Sequence, residues 1–100
     1  MTISLNLSRV KDKKTLCVAL DRELIQKPWG HNWDALNDCL RDLSTGGFTK
    51  KYDFPLKIEI VDWNEFCESD NESFTTFKEI LKQQVTEHKN KGLELLVEFA

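Results

Sequence analysis

Three aspartates, Asp34, Asp38 and Asp42, follow one another every four residues in a segment whose apolar residues recur at helical spacing. On a helix of 3.6 residues per turn they would form one acidic row, roughly opposite the apolar face. Like charges four residues apart destabilise a helix by about 0.2–0.5 kcal/mol per pair. Only Asp34, near the positive end of the helix dipole, is favourably placed. A row of charges that opposes folding indicates a surface that binds a cationic partner. The alternative is an ordinary solvated helix face, which would show the same spacing.

A tryptophan in the turn before this helix adds to the case for a binding surface. Trp29 precedes Gly30 in a Pro-Trp-Gly turn, where a large ring is hard to bury completely, whereas Trp33 lies on the apolar face and is predicted to be core. Aromatic rings beside carboxylates on a rigid helix are typical of binding hot spots. Glu87, near the end of a later helix, either extends the acidic surface or is an ordinary exposed glutamate.

Residues that usually carry catalysis or bind metals are few in this chain and poorly spaced. His31 with Asp34 and Asp38 would supply three metal ligands, but metal sites usually show further ligands and supporting contacts. Two exposed carboxylates one turn apart on a helix cannot flank a bound sugar ring. Cys39 on the helix flank is more typical of packing than of a nucleophile, and the four glycines form no phosphate-binding loop. We therefore expect no enzyme activity, catalytic residue, metal or cofactor.

Length and composition limit the classes of protein that remain. One hundred residues fit a single domain, residues 1–100, with one two-layer core. The net charge is −3 and the basic residues are scattered, so nucleic acid is not expected as a direct partner. Three cysteines without C-x-x-C spacing indicate reduced thiols in a cytoplasmic protein. We see no signal-peptide pattern and no apolar stretch of membrane-spanning length, and we expect no membrane contact.

Strands and helices alternate along the chain and must position the acidic row. Alternating apolar and polar residues predict strands at 2–7, 55–60 and 93–99. Helical spacing predicts a helix capped by Asp12, one from Asn32 to about Leu43, a short turn at 62–67, and a long helix capped by Ser69 and Glu72 and closed by Gly92. The order β-α-α-β-α-α-β predicts an α/β fold in which a three-stranded parallel sheet carries helices mainly on one face.

The segment from Trp29 to Leu40, WGHNWDALNDCL, resembles the signature of the barstar family. An aromatic residue, a glycine, an asparagine, two aspartates and a cysteine fall in register with that signature. The similarity extends to Pro55 at the second strand, to Trp63 and to Gly92 before the last strand. The resemblance implies a three-stranded parallel sheet packed by helices. It also implies an intracellular protein inhibitor that forms a 1:1 complex with a ribonuclease toxin, the immunity protein of a toxin-antitoxin pair.

The resemblance also implies roles for individual residues. In the barstar family the second aspartate of the motif enters the phosphate-binding site of the enzyme and meets its arginines, and by position that residue is Asp38. The first aspartate of the motif falls on Asp34, the aromatic residue on Trp29, the asparagine on Asn32, and a contact glutamate on Glu87.

Departures from the family pattern fall where partner specificity should reside. Pro28 replaces an expected tyrosine, and Asn37 replaces a tryptophan between the two aspartates. The connection from Leu40 to Phe54 is longer than in the family and carries Phe48 where a contact loop would be. The predicted partner-binding surface is made of eight residues: Trp29, Gly30, Asn32, Asp34, Asn37, Asp38, Asp42 and Glu87. A barstar-like module for a basic partner that is not a nuclease is the alternative.

Overall fold

The computed structural model describes residues 1–100 as three parallel strands and four α-helices. The strands are β1 (Thr2–Asn6), β2 (Leu56–Val61) and β3 (Leu95–Phe99), and they lie in the order β1-β2-β3 in one sheet. The first crossover contains α1 (Lys13–Leu20) and α2 (Trp33–Arg41), and the second contains α3 (Asn64–Ser69) and α4 (Asn71–Asn90). The predicted α/β fold and element order are confirmed.

The alternating pattern of each strand separates an apolar face of the sheet from a polar face. Ile3, Ile58 and Val97 stand side by side across the three strands, as the parallel register requires. Residues from the strands and the helices share one buried core, which includes Leu5, Leu16, Ile60, Leu36, Leu40, Phe77 and Leu81. On the opposite face Lys57 Nζ lies 2.6 Å from Glu98 Oε2. The helices therefore cover mainly one face, because only that face is apolar.

The first helix is capped as predicted and ends in a wider turn. Its cap is as expected, since the Asp12 carboxylate accepts a hydrogen bond from the backbone N–H of Thr15, 2.8 Å away. Beyond Leu20 the chain widens into a π-helical turn, Asp21–Ile25, in which the Gln26 N–H donates to the Asp21 carbonyl at 3.2 Å. Gln26 then takes a left-handed conformation with φ of 59°. The helical segment thus ends at Ile25, before Pro28.

The boundaries of α4 correct one prediction and confirm another. Its N-cap is Asp70, which accepts from the Ser73 N–H at 3.2 Å, and not Ser69, because α3 continues through Ser69. At the other end Gly92 has φ of 77°, the left-handed conformation expected there, and the Leu93 N–H reaches back to the His88 carbonyl at 2.9 Å. Neither α4 nor any shorter helix combines the length and the apolar character needed to cross a membrane.

Candidate partner-binding site

Helix α2 is fixed at its start and along its buried side. The Asn32 side chain accepts a hydrogen bond from the Ala35 N–H at 2.7 Å, which confirms it as the N-cap. Leu36, Cys39 and Leu40 are buried against the core. Burial raises the pKa of the Cys39 thiol, which suits a packing residue rather than a nucleophile. The opposite side of the helix is therefore held rigidly toward solvent.

Two of the three predicted aspartates occupy that solvent-facing side. Asp34 is exposed and forms no ion pair within the chain. The Asp38 side chain is 60% exposed, and its Oδ1 lies 2.9 Å from Nη1 of Arg41, one turn further along the helix. Exposed pairs of this kind contribute about 0–1 kcal/mol to stability. Asp38 therefore remains available to another cation.

Glu87 comes from α4 and joins the same surface. Its Oε2 lies 3.2 Å from Nε of Arg41, so one guanidinium contacts carboxylates on two helices. The hydrogen bond from Arg41 lowers the pKa of Glu87, with smaller contributions from glutamine neighbours, against the opposing effect of desolvation. The same contact raises the pKa of Arg41. We call Asp34, Asp38 and Glu87 the acidic face.

A buried glutamine beneath the acidic face joins α2 to α4. Gln84 Nε2 donates to Asn37 Oδ1 and to Glu87 Oε2, both at 2.8 Å. Asn37 is half-buried, and its side-chain oxygen accepts this hydrogen bond from the neighbouring helix. His88, also buried, donates from Nδ1 to the Gln84 carbonyl at 2.8 Å and stacks on Phe54 with ring centroids 5.3 Å apart. This polar layer fixes the position of Glu87 relative to α2.

The turn before α2 is held by a carboxylate of the π-helical turn. Trp29 is half-buried against the core, and its indole N–H donates to the Asp21 carboxylate. His31 Nε2 lies 2.9 Å from the same carboxylate, and its ring meets that of Trp29 edge-on at 4.8 Å. Thus His31 contacts Asp21 instead of completing a metal-binding group with Asp34 and Asp38. No group of three His, Cys, Asp or Glu side chains is arranged to hold a metal ion.

The third aspartate lies at the end of the helix and not inside it. Helix α2 ends at Arg41 and not at Leu43, and Asp42 is its C-cap. The Asp42 carboxylate accepts a hydrogen bond from the Phe48 N–H at 2.5 Å and another from the Thr45 hydroxyl. A carboxylate is disfavoured at the negative end of a helix, and local backbone donors compete for it. The prediction that the helix continues through Asp42 was therefore wrong, since Asp42 caps the helix and its carboxylate holds the following loop. Its place in the partner-binding surface stays a prediction.

The order and the parallel pairing of the three strands agree with the fold that the resemblance implied. A family model described as Barstar (barnase inhibitor) matches residues 1–100, the whole chain. The chain belongs to the barstar family. No curated protein matches it. The predicted family membership is confirmed. Proteins of the barstar family are inhibitors of a ribonuclease rather than enzymes.

Two residues of this barstar-family site were missed or undervalued from the sequence. Arg41 bridges Asp38 and Glu87, a contact that the sequence did not predict. Gln84 was not predicted either, although it lies about one turn after Leu81, on the side of α4 that is buried. A polar residue at a buried helix position needs a partner, and this signal would have found Gln84.

Replacing Asp42 with alanine should loosen the loop that carries Phe48. We expect a loss of about 1 kcal/mol in the free energy of unfolding, because the Phe48 N–H and the Thr45 hydroxyl lose their acceptor. Hydrogen exchange at the Phe48 amide should become faster, while exchange in α2 stays unchanged. Asp53→Ala is the control, since Asp53 is exposed and free of ion pairs in the same connection. Equal unfolding free energies for the two variants would refute this role.

Acid should remove the contribution of Glu87 to the stability of this barstar-family protein. Because folding lowers the pKa of Glu87, that contribution is fully present above the ordinary glutamate pKa, about 4.3. It is then lost as the pH falls through the lower pKa of the folded protein. Urea unfolding of wild type and Glu87→Gln at several pH values should show their difference shrinking at acidic pH. The pKa of Asp12 is also lowered by folding, but Asp12 is present in both proteins and cancels. A difference that is independent of pH would contradict this expectation.

Proposed function

We propose that this barstar-family protein is an immunity protein that binds and blocks the active site of a ribonuclease toxin. The observation that supports it most directly is the pair Asp38 and Glu87. These carboxylates come from two helices, yet they lie close enough for one guanidinium to contact both. Carboxylates in such an arrangement match the arginines that an RNA-cleaving enzyme uses to hold phosphates.

The proposed mechanism is imitation of the RNA backbone. A carboxylate on a rigid helix can occupy the position of a phosphate oxygen without offering a bond to cleave. Asp38 is proposed to enter the phosphate-binding site, with Asp34 and Glu87 beside it. Attraction between the acidic face and a basic cleft speeds association, which matters when free toxin attacks the RNA of the cell that made it. The inhibitor and the toxin would form a 1:1 complex in the cytoplasm.

Residues around the acidic face are proposed to complete the contact. Trp29, Gly30 and Asn32 form the turn at one end of α2, and Asn37 lies between the two exposed aspartates. At the other end the loop held by Asp42 carries Phe48, whose side chain is 60% exposed. A large exposed aromatic ring on a tethered loop is a typical anchor in protein interfaces. Asp42 is thus assigned an indirect role in partner binding.

Capture of the partner followed by an RNA cleavage assay tests the proposal. The tagged protein is expressed in its native host, the bound protein is recovered, and its RNA cleavage is measured with and without the inhibitor. We expect the recovered protein to cleave RNA when no inhibitor is present. Cleavage should stop when an equimolar amount of inhibitor is added. A basic partner that cleaves no RNA, or a nuclease that stays active in the complex, would contradict the proposal. The first of these outcomes would favour a binding module for a basic partner that is not a nuclease.

A further inference from the structure

The guanidinium of Arg41 occupies the position that the proposed function reserves for a partner's arginine. Its Nη1 lies 2.9 Å from Asp38 Oδ1, and its Nε lies 3.2 Å from Glu87 Oε2. We call Asp38 and Glu87 together the guanidinium cradle. Both carboxylates are thus engaged in the free protein, whereas the neighbouring Asp34 is not.

Two physical consequences follow from this arrangement. The positive charge between the carboxylates reduces their mutual repulsion, so Arg41 helps to keep them close together. The same charge competes with any incoming cation for the same oxygen atoms. Arg41 is itself partly exposed, with 43% of its side chain accessible, and exposed ion pairs are weak. The guanidinium can therefore be exchanged for another one at modest cost.

The chemistry of the bridge selects a guanidinium rather than an ammonium ion. Arginine offers five N–H donors in a planar fork, so different nitrogens of one group can reach two acceptors at once. Lysine offers a compact charge on a flexible chain and lacks this fixed fork. The contacts at Nε and Nη1 use the fork in this way.

We propose that Arg41 is an internal stand-in for the partner's arginine. Arg41 fills the guanidinium cradle in the free protein and is displaced when the partner binds. This proposal rests on the proposed function for its biological meaning. Arg41 is a positioning residue, since it acts through Asp38 and Glu87. Breaking the contacts of Arg41 reduces the net affinity of any cation that enters the cradle. Only a partner whose cation fits the cradle well can therefore replace Arg41.

Titration with methylguanidinium tests the cradle without any nuclease. Nuclear magnetic resonance would follow residues 38 and 87 in wild type, in Arg41→Ala and in Arg9→Ala, the last being a control that removes an equal charge from an exposed, unpaired arginine. We expect Arg41→Ala to bind about tenfold more tightly than wild type, since two surface ion pairs need not be broken. Arg9→Ala should match wild type. Equal affinities for Arg41→Ala and wild type would overturn the proposal.

Two further variants separate the bridge from charge and from folding defects. Arg41→Lys keeps the charge but loses the fork, so it should bind methylguanidinium more tightly than wild type; equal affinity would contradict a role for the bridge. Adding Glu87→Gln to Arg41→Ala should abolish the gain. If the gain persisted in that double variant, the probe would bind outside the cradle and the proposal would fail.

Inhibition of the captured ribonuclease distinguishes failure of this proposal from failure of the proposed function. We expect Arg41→Ala to block RNA cleavage at a lower concentration than wild type, by a similar factor. If methylguanidinium binds as expected but no nuclease is inhibited, the cradle is supported and the proposed function fails. If a nuclease is inhibited but Arg41→Ala gains nothing in either assay, the stand-in role alone fails.

Discussion

Replacing Asp38 with alanine is expected to weaken inhibition of the captured ribonuclease by at least about 2 kcal/mol, which is roughly thirtyfold in affinity. The variant removes the carboxylate that is proposed to meet the phosphate-binding arginines of the enzyme. Those arginines would remain buried in the complex without a counter-charge, and an unpaired buried charge is costly. The loss is measured as the shift in inhibitor concentration that halves RNA cleavage.

Folding stability separates a binding role for Asp38 from a structural one. The carboxylate is 60% exposed, and its one ion pair within the chain is with Arg41. We therefore expect Asp38→Ala to change the free energy of unfolding by less than about 1 kcal/mol. Asp53→Ala, which removes an exposed carboxylate elsewhere, should leave both inhibition and stability unchanged. A loss of affinity below about 1 kcal/mol for Asp38→Ala would remove this residue from the centre of the interface.

The sheet and the first half of the site could be predicted because their signals are local. Alternation with a period of two fixes which face of each strand is apolar, as Ile58 and Ile60 against Lys57 show. The cap at Asn32 and the exposure of Asp34 follow from a few neighbouring residues and from helical spacing. Patterns of this kind need no knowledge of distant parts of the chain.

The other half of the site depends on contacts between elements that are far apart in sequence. Arg41 and Glu87 are 46 residues apart, and Gln84 lies 47 residues from Asn37. No local pattern states that α2 and α4 pack side by side in this register. The wrong end of α2 has a different origin. Helical spacing continues through Leu43 in the sequence, but donors of the following loop compete for the Asp42 carboxylate, and the helix ends at Arg41.

Replacing Phe77 with alanine is expected to lower the free energy of unfolding by about 3–5 kcal/mol. The ring lies on α4 and is 0% exposed within the shared core of the sheet and helices. Its removal loses apolar burial and leaves a cavity that close-packed neighbours fill only in part. Urea unfolding followed by circular dichroism measures the loss.

Phe48→Ala is the matched control for Phe77→Ala, because it removes the same atoms from a ring that is 60% exposed. We expect it to change the free energy of unfolding by less than about 0.5 kcal/mol. The order of the two variants should be reversed for inhibition of the ribonuclease. Phe48→Ala should weaken the complex although it is stably folded, since the ring is proposed to contact the ribonuclease. Phe77→Ala should inhibit in proportion to its folded fraction, because the substitution leaves Glu87 on the far part of the same helix. A Phe77 variant that is fully folded but inactive would show that the core sets the geometry of the acidic face directly.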